Sequence, residues 1–141
     1  MMQSAPEIGA WLRSALAVTL LAAVAGCGAN GPGRYQVSGT VSYAGQPVPK
    51  GEVTFEPDSA KNNKGPQARA FIEQGKFQTQ PGKGAVAGPA IVRVLAYDGV
   101  THPESPSGSA IGLPFELHLD LPAADSTHDF VIPAEQPSPP K

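Results

Sequence analysis

The sequence has little of several residue types, and each shortage argues against a class of protein. It contains 1 cysteine in 141 residues, so it can form neither an internal disulfide nor a thiolate-rich metal site. Charged residues make up only 16% of the chain and no basic run occurs, which argues against a nucleic-acid partner. Outside the N-terminal segment there is also no sustained helical periodicity. The 16 glycines and 16 prolines instead favour short strands joined by turns.

The N-terminal segment has the order of features that an export signal has. Arg13 precedes an almost wholly apolar run, 14–25, which is followed by Gly26 and Cys27. As a helix this run would be about 18 Å long, which is shorter than the membrane core of about 30 Å. The pattern therefore predicts a signal peptide over 1–26, removed from the mature protein, rather than a membrane span.

The residues Val24-Ala25-Gly26-Cys27 resemble the lipobox of bacterial lipoproteins. The resemblance implies cleavage before Cys27, a diacylglyceryl group on its sulfur, and a further acyl chain such as palmitate on its new amine. Two or more acyl chains hold a protein stably on a membrane, whereas one chain does so only marginally. Cys27 is therefore the predicted lipidation site, at a membrane facing the periplasm or the exterior. The alternative is an ordinary secretory signal with a coincidental cysteine.

The rest of the chain divides by composition into three parts. Residues 27–34 are small and Gly-rich, which is typical of a flexible tether. Residues 134–141 (AEQPSPPK) are Pro-rich and predict an extended or disordered tail. The folded domain is predicted between them, over 35–133.

Within this domain, apolar and polar residues alternate repeatedly with the period of a β-strand. Val53 and Phe55 are expected to point inward, and Gln74-Gly75 is expected to form a tight turn. Strand 90–97 is expected to be central, with both faces apolar apart from Arg93. About seven strands separated by turns predict an all-β antiparallel sandwich or a partly open barrel. The predicted strands are 35–43, 52–56, 67–73, 76–79, 90–97, 115–121 and 128–132.

A longer pattern resembles the opening of carboxypeptidase-regulatory-like domains, which are transthyretin-like (prealbumin-like) β-sandwiches. The resemblance implies an antiparallel sandwich of transthyretin-like or immunoglobulin-like type, with no catalytic zinc site and no cofactor. Ala44, where an Asp is common, and the order Gly88-Pro89 depart from the pattern and concern only turn geometry. The matching residues are Val37-x-Gly39-x-Val41-x-Tyr43-x-Gly45-x-Pro47-Val48-x-x-Gly51-x-Val53-x-Phe55-x-Pro57 and Ala70-x-Ile72-x-x-Gly75-x-Phe77.

One group of polar residues could carry metal chemistry. His118 and Asp120 lie two apart on a predicted strand, so their side chains share a face. His128 and Asp129 could approach them from the next strand and complete a divalent-metal site. The simpler interpretation is an exposed polar face, and no residue is assigned as catalytic or metal-binding.

The segment 98–112 is predicted to be a long loop, well beyond the usual connection of about 4–6 residues. It carries Asp98, His102 and Glu104 among prolines, so any partner contact is expected here. The competing interpretation is a passive, mobile insertion.

Together these patterns predict a non-enzymatic, lipid-anchored β-sandwich that binds or supports something at the cell envelope. The envelope partner, a protein or a glycan, is left open. One alternative is an envelope hydrolase or metal-dependent enzyme that uses the His118/Asp120 face. Another is a solute-binding accessory lipoprotein, and a deep apolar pocket would favour either alternative.

Overall fold

A computed structural model of the chain describes residues 31–135. The chain divides into two units, Met1–Gly31 and Pro32–Lys141, and the description covers most of the second. The predicted signal peptide, the lipidation site at Cys27 and most of the Pro-rich tail lie outside the described residues. In the part that is described, no helix has the length and apolar character needed to cross a membrane.

Residues 31–135 form ten β-strands and one short 3-10 helix, Ser59–Lys61, so the predicted all-β class is confirmed. Seven of the ten strands match the seven predicted strands, and the three additional strands are two residues long. The strands are β1 (Arg34–Tyr35), β2 (Val37–Tyr43), β3 (Gln46–Pro47), β4 (Lys50–Pro57), β5 (Ala68–Glu73), β6 (Lys76–Gln78), β7 (Ala85–Val86), β8 (Gly88–Tyr97), β9 (Phe115–Leu121) and β10 (Ser126–Ile132).

Most strands belong to one sheet with the order β10-β2-β6-β5-β4-β8-β9, and β3 pairs with β2. Strands β1 and β7 form a separate two-stranded sheet. The long sheet is curled. Its curvature brings Phe55 on β4 into contact with Phe77 on β6 and with Phe130 on β10. This curled, mainly antiparallel sheet is compatible with the predicted sandwich. The exception to antiparallel pairing is β2 with β10, which run parallel.

Three phenylalanines form the centre of the core. The ring centroids of Phe55 and Phe77 are 6.1 Å apart, and those of Phe77 and Phe130 are 5.6 Å apart and stacked. Phe55 and Val53 are 1% and 0% exposed, which confirms their predicted inward direction. Each such side chain contributes about 1.5–3 kcal/mol by leaving water. Other fully buried aliphatic residues are Val37, Val41, Val48, Ile72, Val92, Val94 and Ile132.

Two tight turns connect neighbouring strands. Gln74 and Gly75 have φ angles of 50° and 76° and link Glu73 directly to its partner Lys76, as predicted. Ala44 and its neighbouring glycine also have positive φ angles, 49° and 80°. Positive φ at both central residues is the signature of the type I′ turn, whose twist matches that of the strands. Ala44 adopts this conformation less readily than Asp or Asn would.

Strand β8 differs from its prediction. It is flanked by β4 and β9, one strand from the end of the sheet, and only one of its faces is buried. On the other face Leu95 is exposed, and Arg93 forms ion pairs with Glu56 and Glu116 on the two neighbouring strands. The apolar composition of the run predicted two buried faces. In the structure, the face that carries Arg93 and Leu95 lies at the surface.

The segment 98–112 contains no helix or strand, as the predicted long loop requires, but it is ordered by internal hydrogen bonds. The Oδ1 atom of Asp98 accepts hydrogen bonds from the backbone N–H groups of Val100 (2.9 Å) and Ser109 (3.0 Å). One carboxylate therefore ties the start of the segment to its end, and the chain folds back on itself. Two isolated bridges follow the same path, Tyr97↔Ala110 and His102↔Ser105.

Gly39 allows the parallel pairing of β2 with β10. A Cβ atom placed on Gly39 would lie 1.7 Å from the carbonyl oxygen of His128, and the φ angle of Gly39 is 154°. Only glycine fits such a close approach of two backbones at this φ angle without strain. The close approach of β2 and β10 therefore explains why position 39 is a glycine.

Candidate functional site

The sheet has an inner face, which forms the core, and an outer face, which is the opposite side of β2, β5, β6 and β10. Because side chains alternate along a strand, burying Ala68, Ala70 and Ile72 of β5 turns its other side chains outward. The outer face is mainly polar. It carries Ser38 and Thr40 (β2), Arg69, Phe71 and Glu73 (β5), Lys76 and Gln78 (β6), and Thr127, Asp129 and Val131 (β10).

Phe71 stands out on this polar face. It is 63% exposed, and it is the one aromatic side chain among the large exposed hydrophobic residues of the described chain. Its cross-strand partner on β4 is Glu52, which in turn pairs with Leu95 on β8. Leaving such a ring in water forgoes the roughly 1.5–3 kcal/mol that burial would contribute. Its position therefore adds little to the stability of the fold.

Three shallow grooves meet at Phe71. The largest has a volume of about 760 Å³ and runs from Phe71 across β6 and β2 to Asp129 on β10. A second, of about 380 Å³, extends toward Arg34 and Lys83. A third, of about 270 Å³, leads toward Glu104 in the segment 98–112. Phe71 is the residue that all three grooves share.

The side of the largest groove opposite Phe71 is built from polar groups held in place by hydrogen bonds. The Oδ1 atom of Asp129 accepts from the Oγ1 hydroxyl of Thr40 at 2.7 Å and from its backbone N–H at 3.1 Å. Beside them, the hydroxyl oxygens of Ser38 and Thr127 lie 3.4 Å apart. The groove thus combines an aromatic ring on one side with oriented hydroxyl and carboxylate groups on the other.

Two carboxylates next to Phe71 are paired with basic side chains. The Nε atom of Arg69 lies 3.1 Å from Oε1 of Glu52, and the Nζ atom of Lys50 lies 3.0 Å from Oε1 of Glu73. Exposed pairs like these stabilise a fold by at most about 1 kcal/mol. Their main effect here is to leave the surroundings of Phe71 close to electrically neutral.

A second charged group lies further along the outer side of β4, β8 and β9. Hydrogen bonds from the guanidinium to Glu56 and then to Glu116 raise the pKa of Arg93 above its ordinary value. Glu52, Glu56 and Glu116 occupy outward positions on their strands. Each of these carboxylates is engaged by an arginine, rather than solvated alone.

The structure does not bring the two predicted histidine–aspartate pairs together. His118 and Asp120 do share the exposed side of β9, and Nδ1 of His118 lies 3.5 Å from the buried carboxylate of Asp58. On β10, however, His128 stacks on Phe130 and points to the opposite side from Asp129. Strands β9 and β10 are not paired. Within residues 31–135, no three His, Cys, Asp or Glu side chains are grouped so that they could hold a metal ion.

Asp58 itself has a local structural role. It caps the short 3-10 helix, because its Oδ1 atom accepts a hydrogen bond from the N–H of Ala60 at 3.1 Å. Its other carboxylate oxygen lies 4.0 Å from Nζ of Lys61 and faces His118. These contacts give both oxygens of the buried carboxylate a polar partner.

The exposed aromatic residue was not identified from the sequence. A signal for it exists, because Phe71 alternates with Arg69 and Glu73 and so belongs to the polar side of its strand. The described residues define an all-β protein with one curled, mainly antiparallel sheet. Comparisons with protein-family models, with curated proteins and with solved structures give no match.

Proposed function

We propose that the protein is a lipid-anchored β-sandwich of the bacterial cell envelope, which acts as a non-enzymatic binding or structural module. The observation that carries this proposal is the short distance in sequence between Cys27, at the end of the signal-like segment, and β1, which begins at Arg34. At roughly 3.3–3.6 Å per residue, such a tether reaches about 25 Å when fully extended. Acyl chains on Cys27 would therefore keep the domain close to the membrane surface.

The outer face supports the binding part of the proposal. Phe71 is presented on a rigid strand, and Asp129 and Thr40 are already oriented toward each other by hydrogen bonds. Groups that are held in place before binding lose little entropy when a partner arrives. A membrane-tethered domain with such a surface is suited to holding an envelope protein or an envelope glycan.

The anchor is tested by replacing the residue that would carry the lipid. In a bacterial host, the wild-type protein should partition into the detergent phase and incorporate labelled palmitate, because acyl chains are strongly apolar. The Cys27→Ser protein should lose the label, because the thiol that carries the lipid is gone. An Ala29→Ser protein is the matched control and should behave like the wild type. An aqueous wild-type protein, or a Cys27→Ser protein that still carries the label, would contradict the proposal.

A further inference from the structure

We propose that the groove beside Phe71 binds an uncharged glycan chain, with the ring of Phe71 as the surface on which one sugar stacks. This inference rests on the proposed binding function and names its ligand class. It uses the largest groove of the outer face, which runs from Phe71 to Asp129. This groove is shallow and open, with a volume of about 760 Å³, which suits an extended chain lying along the surface.

The first argument is the exposed aromatic ring. A pyranose sugar has C–H groups on its flatter faces, and these are weakly attracted to the electron-rich face of an aromatic ring. Phe71 offers such a ring at 63% exposure. Its backbone is held in the ladder between β4 and β5, so the platform is formed before the sugar arrives.

The second argument is the polar side of the groove. A sugar carries hydroxyl groups that both donate and accept hydrogen bonds, so its site needs groups of both kinds. Ser38, Thr40 and Thr127 supply hydroxyls, and Gln78 and Gln80 supply amides that donate through nitrogen and accept through oxygen. The groove therefore combines one apolar platform with several neutral hydrogen-bonding groups.

The third argument is charge. Near Phe71, Glu73 is paired with Lys50 and Glu52 is paired with Arg69. Side chains of both signs line the groove, Lys76 as well as Glu73 and Asp129, so a polymer of either charge would meet a like charge there. A neutral chain meets none of this repulsion, and the two neighbouring grooves give a chain of several sugars room to extend beyond Phe71.

The experiment titrates the full-length protein, in detergent solution, with soluble oligosaccharides. The probes are uncharged β-1,4-linked hexasaccharides of glucose and of N-acetylglucosamine, with binding followed by calorimetry. At least one probe should bind. Phe71→Ala should weaken binding at least tenfold, whereas Phe71→Trp should retain it. Val131→Ala is the matched control, because Val131 is 67% exposed on the same face but does not line the groove.

Several outcomes would overturn the inference. One is that no probe binds. Another is that Val131→Ala and Phe71→Ala weaken saccharide binding equally. A third is that the Phe71→Ala protein, with a wild-type circular dichroism spectrum, binds as tightly as the wild type. Phe71-dependent binding of an extended peptide, with none of the saccharides, would instead assign the groove to a peptide. The detergent-partitioning test does not depend on sugar binding. A protein that is anchored but binds no saccharide would therefore refute only the proposed ligand. An aqueous protein that binds one refutes only the anchor.

Discussion

The hairpin formed by β5 and β6 carries two phenylalanines that face opposite sides of the sheet. Phe77 is 4% exposed and stacks on Phe130, whereas Phe71, on the partner strand, is 63% exposed. The same residue type therefore has two roles within one short stretch of chain. The inner face stabilises the fold. The outer face contributes little to stability, so its side chains can be used to bind a partner.

The largest expected effect lies at the centre of the inner face. Phe55→Ala should lower the free energy of unfolding by about 3–5 kcal/mol, because it removes a buried ring and leaves a cavity. Urea unfolding followed by circular dichroism measures this change. Thr54→Ala, the neighbouring position on the outer side of β4, is the control and should change stability by about 1 kcal/mol or less. Similar losses in the two proteins would remove the distinction between the faces.

A smaller effect is expected where two strand backbones touch. Gly39→Ala should cost about 1–3 kcal/mol, because the new methyl group meets the carbonyl oxygen of His128 and the φ angle is unfavourable for alanine. Gly45→Ala is the matched control, since Gly45 also has a positive φ angle but open space around it. Thermal or urea unfolding of both proteins separates the clash from the backbone strain. A Gly39→Ala loss no larger than the Gly45→Ala loss would show that the contact with β10 has no energetic role.

Local patterns in the sequence predicted the strands and their inward residues well. Alternation placed Val53 and Phe55 in the core because a strand has a period of two, which depends only on neighbouring residues. The parallel pairing of β2 with β10 could not be predicted in this way. It joins residues such as Thr40 and Asp129, which are 89 positions apart, and no local pattern encodes that register.

The candidate site was harder to predict than the fold. An aromatic ring is usually assigned to the core, and that expectation hid the outward position of Phe71. Its alternation with Arg69 nevertheless indicates the outer side of the strand. The long loop 98–112 was predicted, but its internal order was not, because the two hydrogen bonds that Asp98 accepts cannot be recognised from composition. Lipidation of Cys27 stays a prediction, because that residue lies outside the described part of the chain.

The most direct test of the account compares the two phenylalanines of the hairpin by denaturant unfolding. Phe77→Ala should lower the free energy of unfolding by about 3–5 kcal/mol, since it removes a ring from the stacked core. Phe71→Ala should change it by no more than about 0.5 kcal/mol, as expected for a surface side chain without a structural role. A loss of about 2 kcal/mol or more for Phe71→Ala would contradict the central claim, because it would make the exposed ring part of what holds the fold together.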